Sequence, residues 1–266
     1  MTRVAVAGLG AVGRDLVARL TEGVPGIELT AVSARDLVRA QETLRQLGAD
    51  VPVRDVAELA PLADLVVECA PAHLLPAIAE PFLREGKEVV VLSAGALLEY
   101  AHLVDLAETH GGRISVPTGA LLGLDAVAAA AEGGITSLRL TTRKPPAGLV
   151  GAPGMEESGI DLKGLTEPRL VFSGTAREAV RGFPANLNVA VALSLAGPGP
   201  DKTEVEVWAD PGVTKNTHTI VMKSDVADLT MTIENVPSEN PRTGRITPLS
   251  VISMLRKRNA SLRVGS

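Results

Sequence analysis

Two short stretches of the chain carry residue types spaced for chemistry. The first is Gly8-Leu9-Gly10-Ala11-Val12-Gly13, which follows the apolar run 4–7 and opens an amphipathic stretch. In such a turn Gly8 permits a tight bend, Gly10 lets a pyrophosphate approach the backbone, and Gly13 allows close helix–strand packing. The phosphates then meet free N–H groups at the positive end of a helix dipole. Gly8, Gly10, Ala11, Val12 and Gly13 are the expected cradle for a dinucleotide. The plainer alternative is a glycine-rich turn that holds no ligand. The second stretch is Asp210-Pro211-Gly212-Val213-Thr214-Lys215-Asn216-Thr217-His218. It sets Lys215, Asn216 and His218 between a turn and a strand. A lysine there can pair with a substrate carboxylate, and a histidine titrates where proton transfer near neutral pH needs it. The competing reading of His218 is an ordinary histidine at a strand edge.

Further polar residues surround these stretches. The second apolar run, 27–32, ends before Ser33-Ala34-Arg35-Asp36. A site restricted to NAD usually offers an acid at this strand end for the ribose 2′-hydroxyl. Here Ser33 takes that place, and Arg35 stands where a 2′-phosphate is met, unless it is only a solvated loop charge. Asp36 turned inward would restore the acid, so the choice is open; NADP is expected to be accepted alongside NAD. Cys69-Ala70 and Ser93-Ala94 follow the next apolar runs, and small residues at strand ends leave room for ribose and nicotinamide. Cys69 has no adjoining Lys or His to lower its pKa and reads as a small core-edge residue. Asn186 and Asn188 open an apolar helix that runs to Leu195. One asparagine suffices as a cap, which leaves the other to hold a carboxamide or a carbonyl.

The elements that must position these residues follow from periodicity. Apolar runs at 4–7, 27–32, 65–69, 89–92 and 113–116 alternate with helical stretches at 14–20, 37–47 and 73–85. Strand, helix, strand repeated in this way predicts right-handed crossovers and a parallel sheet. After Pro117 the rhythm changes. Residues 120–131 read as a helix, while 136–142, 202–208 and 228–234 alternate as half-buried strands. The segment 144–154 and the run Gly197-Pro198-Gly199-Pro200 read as loops. The fold class is therefore α/β: an N-terminal Rossmann domain over 1–117, then a smaller α/β domain over 118–240 with a mostly antiparallel sheet for substrate and dimerisation. A C-terminal helix within 241–266 is expected to pack back on the first domain. An apolar exposed face on the second sheet would make the protein a homodimer.

Composition narrows the classes. With 26 Lys+Arg against 31 Asp+Glu the net charge is -5, which argues against a dedicated nucleic-acid binder. Hydrophobic residues make up 45% of the chain, too many for a disordered protein of low net charge. Aromatics are limited to Phe82, Phe172, Phe183, Tyr100 and Trp208, so an aliphatic core is required and base stacking is disfavoured. Cys69 is alone, and His73, His102, His110 and His218 lack metal-binding spacing, so no metal is expected. No apolar segment approaches the roughly 20 residues that span a bilayer. The chain opens on a strand-like run without a leader pattern, and a cytoplasmic protein with no membrane partner is expected.

Taken in order along the chain, the motifs resemble the L-aspartate dehydrogenase family. The matching stretches are Gly8 to Gly13, Pro117-Thr118-Gly119-Ala120, Arg143-Lys144-Pro145-Pro146 and Val171-Phe172-Ser173-Gly174-Thr175-Ala176. They continue with the helix after Phe183, Asp210-Pro211-Gly212-Val213 with Asn216-Thr217-His218, and Glu234-Asn235-Val236-Pro237-Ser238-Glu239-Asn240-Pro241. The resemblance implies a fold similar to dihydrodipicolinate reductase and homoserine dehydrogenase. It implies NAD(P)-dependent oxidation of L-aspartate to iminoaspartate, which hydrolyses to oxaloacetate and ammonia, in many organisms feeding NAD biosynthesis. It places the family's active-site histidine on His218 and its cofactor-contacting residues on Ala120 and Asn188. Lys144 and Lys215 become the cations for the two substrate carboxylates. One departure is Ala94, where relatives often carry a bulkier aliphatic residue.

Two rivals stand beside this reading. One is another Rossmann enzyme, of the dihydrodipicolinate reductase or homoserine dehydrogenase type; the former would want a Lys- or His-rich motif in the second domain that is not visible. The other is a non-catalytic NAD(P)-sensing module, for which no basic helix-turn-helix is present.

Overall fold

The computed structural model describes residues 1–184, 187–238 and 244–265. Two compact units divide the chain: Met1–Gly119 with Thr247–Val264, and Ala120–Ile246.

The first unit alternates strands and helices: β1 (Thr2–Ala7), α1 (Ala11–Glu22), β2 (Ile27–Ser33), α2 (Leu37–Gln46), β3 (Leu65–Glu68), α3 (Leu75–Arg84), β4 (Glu88–Val91), α4 (His102–His110) and β5 (Arg113–Ser115). The strands form one parallel sheet in the order β2-β1-β3-β4-β5. Both faces are buried, and the period of two sorts each strand between two cores. Val4, Val6, Leu65, Val67 and Val90 face α1 through Leu16, Val17 and Leu20. Ala5, Ala7, Val66, Val89 and Val91 face α3 and α4 through Ile78, Phe82, Leu83 and Leu103. Small and β-branched side chains at 0% exposure explain how the unit manages with so few aromatic rings.

The second unit contains α5 (Leu124–Ala131), β6 (Ile135–Lys144), α6 (Pro153–Ser158), β7 (Arg169–Thr175), α7 (Ala176–Gly182), α8 (Asn188–Ala196), β8 (Thr203–Ala209), β9 (Asn216–Ser224) and β10 (Leu229–Asn235). Its sheet runs β10-β9-β6-β8-β7 and is antiparallel except for the parallel pair β6 and β8. The inner face carries Leu138, Leu140, Val205, Val207, Ile220 and Met222 against α5, α7 and α8. The outer face is polar: Arg139 pairs with Glu204, Thr219 bonds Thr232, and Arg143 stacks over Trp208 with Cζ 4.9 Å from the ring centroid. Exposed Val221 and Leu170 are apolar side chains on this mainly polar face.

The helix α9 (Ile246–Asn259) belongs, past its first residue, to the first unit. Val251, Ile252 and Leu255 pack into the α1 side of the core. Arg258 pairs with the buried Glu88, and Asn259 Nδ2 donates to Gly26 O at 3.1 Å. No helix among the described residues is long and apolar enough to cross a membrane.

Two element boundaries differ from the sequence reading for local reasons. Helix α5 starts at Leu124 rather than Ala120, because Gly119 and Gly123 sit at φ 61° and 66° and cannot continue a right-handed helix. Residue 144 is not in a loop. Asp210 N donates to Lys144 O at 2.8 Å, which extends β6 until Pro145 ends it, and Pro153 already opens α6.

Candidate active site

The glycine turn lies at the carboxyl ends of β1 and β3, where the order of the parallel strands reverses and open α/β sheets bind ligands. Gly8 has φ 108°, and a Cβ there would lie 2.5 Å from Cys69 O. A Cβ on Gly13 would lie 1.9 Å from Gly8 O, so the first turn of α1 passes against the strand end with no room for a side chain. Gly10 is different. A Cβ there meets nothing within 4 Å, and Gly10 caps α1 without a side-chain hydrogen bond. The N-terminus of a 12-residue helix with no acid in its first turn therefore faces open space. This geometry fits a dinucleotide pyrophosphate.

The neighbouring strand ends are tied together by a carboxylate. Glu68 is buried, and its Oε2 accepts from Leu92 N (3.1 Å), Ser93 N (2.9 Å) and Ser93 Oγ (2.7 Å). Its Oε1 accepts from Ala70 N at 3.0 Å. Burial raises the Glu68 pKa, while these hydrogen bonds oppose the rise. The same burial, with Glu68 beside it, pushes the Cys69 thiol well up, which agrees with a packing role for that residue.

In the second unit the inner face of the sheet turns from apolar to polar at one end. Along β6, Leu138 and Leu140 give way to Thr142 and Lys144; along β9, Met222 and Ile220 give way to His218 and Asn216. Thr142 pairs directly with His218, and Asn216 with Asn235 on β10. Residues paired or two apart share a face, so Thr142, Lys144, His218, Asn216 and Asn235 form one polar patch. Lys144 is 2%, His218 3%, Asn235 3% and Asn216 8% exposed. Thr142 Oγ1 and His218 Nδ1 are 3.1 Å apart, and Asn235 Nδ2 donates to Ala120 O at 2.9 Å. Burial brings Lys144 down to about 8. Burial, followed by the nearby Lys144 charge, brings His218 down to about 3. At neutral pH the patch thus holds a buried ammonium beside a neutral imidazole, an arrangement suited to a small anionic ligand that exchanges protons.

Comparison with known proteins gives this patch a context. Residues 125–258 match the family model described as "Aspartate dehydrogenase, C-terminal", and residues 8–117 match "Homoserine dehydrogenase, NAD binding domain". The chain is 60% identical over 264 residues to L-aspartate dehydrogenase 3 of Bordetella bronchiseptica, covering 99% of this chain and 97% of that protein. It is 55% identical to L-aspartate dehydrogenase of Bradyrhizobium diazoefficiens, covering 99% and 94%. The chain belongs to the L-aspartate dehydrogenase family. The crystal structure of aspartate dehydrogenase from Thermotoga maritima shares the fold, with a TM-score of 0.77 at 24% identity over 100% of both chains.

Within the L-aspartate dehydrogenase family frame, the positions named from the sequence separate. Lys144, Asn216 and His218 come together on the patch. Lys215 does not: its Nζ lies 3.3 Å from the exposed Glu234, outside the buried row. His218 does not titrate near neutrality as the sequence reading had it, because burial keeps it unprotonated. Asp210 closes its own turn, accepting from Gly212 N at 2.8 Å and from Arg143 Nη1 at 3.1 Å. In the first unit Ser33 is buried at the end of β2, with its carbonyl accepting from Gly8 N at 2.7 Å, and Arg35 is exposed. Asp36 does not turn toward a ribose; its side chain caps α2 at Arg39 N, 3.0 Å away. Asn188 is the first residue of α8, while Asn186 and the motif residues Glu239, Asn240 and Pro241 lie outside the described residues. The sequence reading missed Glu68, Thr142 and Asn235 as parts of a site. Glu68 had one signal, an acid closing an apolar run just before Cys69-Ala70, and Asn235 lay inside a matched motif without a role.

Proposed function

We propose that the chain catalyses the reversible NAD(P)-dependent oxidative deamination of L-aspartate. The observation that carries this reading is the buried Lys144 beside the neutral His218 on one polar patch, in a chain of this family. L-aspartate and NAD(P)+ give iminoaspartate, NAD(P)H and a proton; water then converts the imine to oxaloacetate and ammonia. Gly8, Gly10, Ala11, Val12 and Gly13, with Ser33, Cys69 and Ala70 at the neighbouring strand ends, would hold the cofactor, and Ala120 and Asn188 are the further contacts that family likeness assigns. When bound, its nicotinamide supplies the two-electron acceptor.

The chain's own residues do the rest. Lys144, protonated at neutral pH, pairs with a substrate carboxylate through a charge-assisted hydrogen bond in a dry site. Asn216, beside it in the row, is assigned to the same substrate. The substrate ammonium must lose a proton before its Cα–H bond can break, and His218 accepts it. His218 Nδ1 lies 3.1 Å from Thr142 Oγ1, and the proposed role uses the tautomer in which Nδ1 donates and Nε2 carries the receiving lone pair. Deep burial makes His218 a weak base by itself. An incoming dicarboxylate offsets the Lys144 charge and stabilises the imidazolium, so the substrate itself raises the basicity of its acceptor. The same imidazole then activates the water that attacks the imine.

NADP is accepted alongside NAD in this reading. A serine ends β2, Asp36 is engaged as a helix cap, and Arg35 is the nearby cation for a 2′-phosphate. Initial rates with L-aspartate and each cofactor, and with oxaloacetate plus ammonium in reverse, test the proposal. Reduction of both cofactors is expected only with L-aspartate present; no aspartate-dependent reduction overturns it.

A further inference from the structure

We infer that Asn235 receives the substrate's amino group on its side-chain carbonyl oxygen. The inference deepens the functional reading and rests on L-aspartate being the substrate. Among the described residues, Asn235 Oδ1 is the buried side-chain polar atom left without a hydrogen-bond partner. The orientation of the amide is not arbitrary. Nδ2 donates to Ala120 O at 2.9 Å, and turning the group over would set one carbonyl oxygen against another. Backbone packs against the residue and holds it in place: Pro237 bridges Gly244, Arg245 N donates to Val236 O at 3.0 Å, and a Cβ on Gly244 would lie 3.2 Å from Oδ1. A buried acceptor with no donor destabilises a fold, and such an atom calls for a functional explanation.

The register supplies that explanation. Asn235 pairs with Asn216, and two residues further along β9 stands His218, on the same side of the sheet. Lys144 completes the patch as its cation. The carboxylates of a bound aspartate only accept hydrogen bonds; its amino nitrogen is the group that donates them. Beside the cation Lys144 and the lone pair of His218, an unpartnered carbonyl oxygen is therefore complementary to that nitrogen. It also receives the N–H of the imine after the Cα–H bond has broken, so it serves the reaction in both directions.

Succinate tests this, because it keeps the two carboxylates and lacks the amino group. The KM for L-aspartate, the Ki of succinate and the Kd of NADH for the free enzyme are measured for wild type, Asn235→Leu and Asn235→Asp, with folding followed by circular dichroism. In Asn235→Leu the KM for L-aspartate is expected to rise roughly 10- to 100-fold, the loss of one hydrogen bond to a charged group. The succinate Ki should stay as in wild type, while the NADH Kd reports separately on the lost Nδ2 bond to Ala120, a cofactor contact by family likeness. Asn235→Asp keeps an acceptor, and its added charge repels both dicarboxylates alike, so the preference for L-aspartate over succinate should persist. Equal shifts for both ligands in Asn235→Leu overturn the inference, since a structural role or a water held by Oδ1 would move them together. A loss confined to NADH binding also overturns it. If the leucine variant fails to fold, the aspartate variant decides: loss of the preference there overturns the inference. Wild type without L-aspartate turnover overturns the functional reading, and this inference with it.

Discussion

Thr142 and His218 face each other across the β6–β9 pair with Oγ1 and Nδ1 3.1 Å apart, and this contact fixes the ring that the proposed chemistry uses. His218→Ala should lower kcat by about 100-fold or more, the scale of a general base, while cofactor affinity stays close to wild type. Stopped-flow turnover together with NADH titration checks both. Thr142→Val should lower kcat less, because the imidazole stays and only its orientation loosens.

The depressed value of His218 has a stability consequence of definite sign. The unfolded chain takes up this proton near pH 6.5, whereas the folded chain resists it down to about 3. Wild type therefore loses stability as pH falls below 6.5, and by pH 5 the loss from this group is about 2 kcal/mol. Thermal melts of His218→Gln between pH 7 and 5 should lack that slope. For the same reason kcat/KM should show no inflection near pH 6.5 from the free enzyme's histidine.

Lys144 can be isolated with succinate, which has no amine to titrate. Its Ki should be flat below about pH 8 and rise above it, as the lysine loses its proton. Lys144→Arg keeps the charge at all these pH values and should abolish the rise. Retained KM with lost turnover in that variant would instead assign proton transfer to the lysine. Lys144→Met removes the buried titrating group, whose fall from 10.5 to about 8 corresponds to about 3 kcal/mol between its charged and neutral forms. Between pH 8 and 10.5 only the unfolded chain keeps the proton, so wild type gains stability with pH, and thermal melts of the variant should lack that gain.

Gly10 and Gly13 should respond oppositely to alanine. A Cβ on Gly13 meets Gly8 O at 1.9 Å, so Gly13→Ala should cost about 2 kcal/mol or more and lower Tm. Gly10→Ala meets no protein atom; Tm should hold while the KM for cofactor rises, because the methyl group occupies the ligand's place. A Gly10→Ala enzyme with normal cofactor KM would refute the cradle.

Arg35→Ala separates the two cofactors. The KM for NADP should rise roughly tenfold, the scale of one charge-assisted hydrogen bond, with the KM for NAD unchanged. An unchanged NADP value assigns Arg35 to solvent.

The glycine turn could be read directly from the sequence because its demands are local: a strand, three small residues and a helix within a few positions. Continuous apolar runs likewise marked the parallel strands, since both their faces are buried. The second site was legible only in part. His218 stood out by type, but its burial, and with it its charge state, depends on strands far apart in sequence. Lys215 and Lys144 are chemically alike. Strand register turned Lys144 inward beside His218, while Lys215 remained at the edge, paired with Glu234. Asp36 could have met a ribose by its spacing, and the start of α2 claimed it as a cap instead. Local spacing determines which backbone turns can form. Which side chains lose their water, and so change their acidity, is decided only when distant strands pair.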